Sequence, residues 1–163
     1  MTERLSVGIS EFRIAVPPAK LVTYGLGSCL AIALYDPEFR IGGLAHTLLP
    51  SPRHAADNAR PAKFVDAAIE LMINDLLARG AARERLGAKI FGGANMFEPL
   101  LGDPDNAVGP RNIRSARETL AVLGIPLLAE DVGGNFGRTV EFDIASGEVR
   151  VKAVRGREGE IIF

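Results

Sequence analysis

Cys29 is the only cysteine among 163 residues, and it follows a Gly25-Leu26-Gly27-Ser28 turn at the mouth of an apolar run. A thiol so placed can act as a nucleophile. The turn gives access, and its main-chain N–H groups can stabilise both a thiolate and the oxyanion of a tetrahedral intermediate. A lone intracellular cysteine also reads as a small buried hydrophobe. A thiol nucleophile needs a base, and the chain has two histidines. His46 lies in the apolar, strand-like stretch GGLAHTLLP, whereas His54 lies in the polar stretch SPRHAAD. Rigid placement favours His46 as the partner of Cys29, with a core histidine as the competing reading. Thr23 can supply the hydroxyl that orients such an imidazole, or can simply be a strand former.

Other chemistries fit the residues less well. Glycines recur at expected strand ends, at Gly25 and Gly27, Gly42-Gly43, Gly92-Gly93, and Gly133-Gly134 with Gly137. They suit turns, or places where a backbone N–H approaches a ligand. The stretch GLGSCL lacks the third glycine of a dinucleotide-binding loop, and no Gly-Lys-Ser/Thr follows any glycine cluster. One cysteine and two histidines, with Asp57 three residues beyond His54, match no zinc spacing. A thiol–imidazole reaction needs no metal, nucleotide or organic cofactor.

These residues must be held by a fold, and the length suits one domain over residues 1–163. The formal net charge of −1 comes without a basic stripe, which argues against nucleic acid as a partner. The N-terminus lacks the apolar segment of a signal peptide and no run is long enough to span a membrane, so a cytoplasmic protein without membrane insertion is expected. A single cysteine, unable to form an internal disulfide, agrees with a reducing compartment.

Alternating apolar residues predict strands around Leu5–Ile9, Phe12–Val16, Lys20–Tyr24, Leu30–Tyr35 and Ile41–Leu49. Phe64, Val65, Ala68, Ile69, Met72 and Leu76 form a helical stripe ended by Gly80, with Pro61 in the first turn. A short strand over Ala88–Phe91 and a second helix over Asn112–Leu123 follow. Then come a strand over Ile125–Ala129 and a hairpin turning at Ser146-Gly147. The order indicates an α/β sandwich with a mixed β-sheet.

In this order and spacing, the stretches TYGLGSCLAIALYDP, GGLAHTLLP, AKIFGGANMF, GPRNI and AEDVGGNFGRTVEFD resemble the CheD family of chemoreceptor glutamine deamidases. The resemblance runs from about Thr23 to about Lys152. It implies that Cys29 is the nucleophile, His46 the base and Thr23 the third member of a triad. It also implies hydrolysis of glutamine side chains in methyl-accepting chemotaxis receptors to glutamate and ammonia, with a methylesterase side activity in some members. The implied fold is an α/β sandwich similar to the catalytic domain of cytotoxic necrotizing factors, and the implied partner is CheC, a phosphatase of the response regulator CheY.

Beside the nucleophile, Gly27 and Ser28 are candidate substrate contacts. Asn112 is another, or it caps the second helix. Arg138 either touches an acidic receptor surface or pairs internally. The chain has His46-Thr47-Leu48-Leu49-Pro50 where the family often has His-Phe-Met-Leu-Pro, and Pro110 where a charge is common; both bear on receptor preference. Two other readings stand beside this one. They are a small-molecule thiol amidase or esterase, and a non-catalytic module that occupies a CheC-like phosphatase.

Overall fold

Side-chain alternation along β8 (Arg138–Asp143) and β9 (Val149–Ala153) buries every second residue, the mark of a sheet with one face on a core and one on solvent. By contrast, β4 (Leu30–Asp36) and β5 (Ile41–Thr47) are buried along almost their whole length, so their sheet is covered on both faces. The computed structural model, which describes residues 2–52, 60–96, 107–155 and 157–163, is therefore layered as sheet, sheet and helices.

The outer sheet has the order β1 (Arg4–Ser6), β3 (Lys20–Leu26), β8, β9 and β10 (Glu160–Ile162). The central sheet has the order β2 (Glu11–Ala15), β5, β4, β6 (Gly87–Gly92) and β7 (Leu127–Val132). Both sheets are mixed: β1 runs parallel to β3 and β6 parallel to β7, while the other pairings are antiparallel. The α/β sandwich thus contains two mixed sheets where the sequence pattern suggested one. The reason is that β3 and β4, adjacent in the chain, lie in different sheets.

Ala31, Ala33 and Leu44 line the inter-sheet core with Leu21, Phe91, Val140 and Phe142. On the other face, Leu30, Ile32 and Leu34 pack with Ile69, Met72 and Leu76 of α1 (Val65–Ala78) and with Ile113, Ala116 and Leu120 of α2 (Val108–Leu123). Small residues on the first face of β4 let the two sheets approach, and large ones on the second seat the helices.

Pro61 lies in a separate 3-10 turn, Pro61–Lys63, ahead of α1. The second helix begins at Val108, four residues before Asn112. Pro110 is its third residue, where a missing N–H breaks no intrahelical bond. Gly124 ends it with φ +72°, a left-handed cap that glycine accepts without strain. Among the described residues, no helix is long and apolar enough to cross a membrane.

Candidate active site

The passage from β3 to β4 carries the chain from the outer sheet to the central one at one end of the sandwich, and Cys29 sits on it. Before the crossing, the β3–β8 register slips between Thr23 and Leu26, a bulge with Gly25 at φ +63° that re-aims the strand. The crossing is then pinned from outside. Gly93 N–H donates to the Cys29 carbonyl at 2.9 Å, and Ala94 N–H to the Gly27 carbonyl at 3.0 Å. The Asn112 amide donates to the Ser28 carbonyl at 3.0 Å and to the Leu48 carbonyl at 3.2 Å. The end of β6 can come this close only as glycine, because a Cβ on Gly92 would lie 2.5 Å from the Cys29 carbonyl oxygen.

His46 lies opposite Ala31 in the β4–β5 ladder, so both point into the inter-sheet space, and Cys29, two residues before Ala31, joins the same buried layer. Across that space, Thr23 on β3 brings its Oγ1 to 2.7 Å from His46 Nδ1. In the tautomer that leaves Nε2 able to accept a proton, Nδ1–H donates to the threonine oxygen. His46 Nε2 is buried and has no hydrogen-bond partner among the described residues.

The segment from Val7 to Glu11 closes over His46. Val7 N–H donates to the Val22 carbonyl and Ser10 N–H to the His46 carbonyl, both at 2.8 Å. Glu11 lies directly opposite His46 in the β2–β5 ladder, and its carboxylate accepts from Gly8 N–H at 3.1 Å. Burial pushes the His46 imidazole below its ordinary value, while the Val7 carbonyl and the Glu11 charge oppose that shift. Burial likewise pushes the Cys29 thiol up, against the effect of its own main-chain N–H.

The cysteine is only 9% exposed. A low-pKa thiolate, expected from the glycine turn, is therefore not what the free site holds. Both shifts favour the uncharged forms, a neutral thiol and a neutral imidazole.

Other expected residues fall as follows. Asn112 does not cap α2: it is the fifth helical residue, fully buried, and ties two loops together. Arg138 pairs internally, with Asp131 at 3.4 Å, and is 1% exposed. Gly27 and Ser28 flank Cys29 and are half-buried. His54 lies outside the described residues. Sequence reasoning missed Glu11, whose only signal is its place in an alternating strand, and the bracing role of Asn112, which depends on helix packing. Among the described residues, no group of three His, Cys, Asp or Glu side chains is placed to hold a metal ion.

A family model described as CheD chemotactic sensory transduction matches residues 48–153. Probable chemoreceptor glutamine deamidase CheD 2 of Geobacter metallireducens is 54% identical over 95% of this chain and 96% of its own. The probable chemoreceptor glutamine deamidases CheD of Moorella thermoacetica and Pyrococcus abyssi are 47% and 42% identical. They cover 98% and 99% of this chain, and 96% and 98% of their own. Among solved structures, the hypothetical protein YfiH of Bacillus licheniformis overlaps 73% of this chain and 49% of its own, with a TM-score of 0.46 and 17% identity.

Proposed function

The chain belongs to the CheD family of chemotactic sensory transduction proteins, and from that membership we propose that it deamidates glutamine side chains of methyl-accepting chemotaxis receptors on their cytoplasmic side. The observation that carries the reading beyond family names is the 2.7 Å contact of Thr23 with His46, on the buried layer that also holds Cys29.

Cys29 Sγ attacks the amide carbon of the glutamine as His46 Nε2 takes the thiol proton. The oxyanion meets N–H groups of the Gly27–Cys29 turn, with Gly27 and Ser28 beside the entering side chain. The imidazolium returns the proton to the amide nitrogen, the C–N bond breaks, ammonia leaves, and a thioester remains. Water then attacks the thioester carbon while Nε2 takes its proton. The C–S bond breaks, the proton goes to the thiolate, and glutamate is released. Thr23 holds the imidazole with Nε2 toward the reaction.

The test is mass spectrometry of receptor cytoplasmic fragments incubated with wild-type protein, Cys29→Ala or His46→Ala. A gain of about one dalton at defined glutamines, absent with both variants, is the expected result. Unchanged glutamines in several receptors sink the reading.

The burial of the Cys29 thiol favours one second reading, a module that docks on a CheC-like phosphatase without catalysis. Under it, Cys29→Ala retains phosphatase binding and full biological activity.

A further inference from the structure

At the same end of the sandwich as Cys29, two arginines share one carboxylate. Arg157 takes Asp131 in a fork, with contacts of 3.1 and 2.8 Å. Arg138 reaches the same carboxylate only through Nε at 3.4 Å. Arg138 Nη1 and Arg157 Nε are both buried without a hydrogen-bond partner among the described residues. Unpaired buried guanidinium donors are costly. Among the described residues, two such donors accompany two guanidinium charges set against the single carboxylate of Asp131, and like charge from Arg157 adds to the burial that lowers the Arg138 pKa.

The cluster is joined to β3, which leads into the Cys29 turn, and to β6, whose end packs against that turn. Arg138 pairs with Leu26 across β3 and β8, three residues before Cys29. Asp131 pairs with Phe91 across β6 and β7, one residue before the Gly92 that abuts Cys29. Phe136 covers the cluster, its ring 4.3 Å from the Arg138 guanidinium carbon and 5.4 Å from that of Arg157. The cover rides on a loop whose Gly133 and Gly134 have φ of +82° and +72°, and Gly137 follows it. Asn95 N–H ties this loop, through the Gly134 carbonyl, to the segment behind Cys29.

We propose that the Arg138–Arg157 pair is a subsite for a substrate carboxylate, an acidic side chain near the target glutamine, which enters by displacing Phe136. One further negative charge neutralises the cluster. A carboxylate supplies that single charge in the planar geometry a guanidinium fork accepts, whereas a dianionic phosphate overshoots it. The deamidase reading enters only in identifying the ligand as part of a glutamine substrate.

The experiment measures binding of short helical peptides to Cys29→Ala protein by fluorescence anisotropy. Each peptide carries one glutamine and, three or four residues to either side, glutamate or alanine. Glutamate at one of these positions is expected to tighten binding roughly tenfold, the size of one charge-assisted hydrogen bond. Adding Arg157→Gln should abolish that ratio, Asp131→Asn should increase it, and salt should reduce it. Arg157 is chosen because its side chain is a quarter exposed, whereas removing buried Arg138 endangers the fold.

Because the readout is a ratio of two peptides on one protein, a general loss of stability does not imitate it. No advantage for any acidic position, an advantage unchanged by Arg157→Gln, or no binding of acidic peptides overturns the subsite. If acidic peptides bind as expected but wild-type protein never converts their glutamine, the subsite stands and the deamidase reading falls.

Discussion

Thr23 Oγ1 and His46 Nδ1 are 2.7 Å apart although the two residues belong to different sheets. The contact spans the inter-sheet space at the end where the chain crosses from β3 to β4, so the position of the imidazole is coupled to the separation of the layers. A threonine hydroxyl can donate or accept, and by itself it does not choose the imidazole tautomer. The Val7 backbone acts on the same ring by raising its pKa, which favours the charged imidazolium rather than either neutral tautomer.

Thr23→Val keeps the shape of the residue and removes the oxygen. We expect kcat/KM on a receptor fragment to fall roughly tenfold or more, since one oriented hydrogen bond to the base is lost. The loss should appear in kcat, with Thr23→Ser restoring most of it. A Thr23→Val enzyme with unchanged kcat would remove threonine from the mechanism.

The pH profile follows from opposite shifts. His46 titrates below its ordinary 6.5 and Cys29 above its ordinary 9.0, both because of burial. Neutral imidazole with neutral thiol is the competent free enzyme, so kcat/KM should rise with pH through a midpoint below 6.5 and hold to above 9.0. Glu11 raises the His46 pKa, and Glu11→Gln should move the acid limb lower still. A limb that moves upward in Glu11→Gln contradicts this electrostatic account.

Much of the site was legible because its signals are local. The turn before Cys29, the apolar setting of His46 and the placing of Thr23 ahead of the turn are visible within short windows. The helical stripe on α1 and the stop at Gly124 are equally local. Glu11 facing His46, Asn112 reaching Ser28 and Leu48, and Arg157 forking Asp131 all depend on register between distant segments, to which local periodicity is blind. The same limit explains the second sheet: nothing within Gly25–Ser28 says that the chain changes layers there. The thiol expected to be activated by its turn is in fact buried by that turn's many anchors, a packing effect outside any motif.

Asp36 predicts a stability effect far from the site. Its carboxylate is fully buried. It accepts from the N–H groups of Glu38, Phe39 and Ala82 and from Arg85. Burial alone would raise its pKa, but Arg85 and the three N–H groups bring it down from 3.8 to about 2. Because the folded value is depressed, its contribution is complete above the unfolded pKa of 3.8 and is lost as pH falls toward about 2. Asp36→Ala should lower unfolding free energy by about 3 kcal/mol or more in urea titration near neutral pH. It should also flatten the acid dependence between those two pH values. A loss below about 0.5 kcal/mol would mean that water replaces the carboxylate at little cost.

Asn112 separates bracing from substrate contact. Its amide donates to the carbonyls of Ser28 and Leu48, and its Oδ1 is buried without a partner among the described residues. If it braces the Cys29 turn, Asn112→Ala removes the donor to two partly buried carbonyls. It should then lower stability by about 1–3 kcal/mol, together with kcat, at nearly constant KM. If it holds substrate, KM should carry the change and stability should stay. Asn112→Asp sharpens the distinction. A carboxylate facing two carbonyls should destabilise more than alanine near neutral pH and recover partly in mild acid, where protonation restores a donor. Equal behaviour of Ala and Asp variants at both pH values would show that neither carbonyl depends on the amide, and the turn would then owe its position to Gly93 and Ala94.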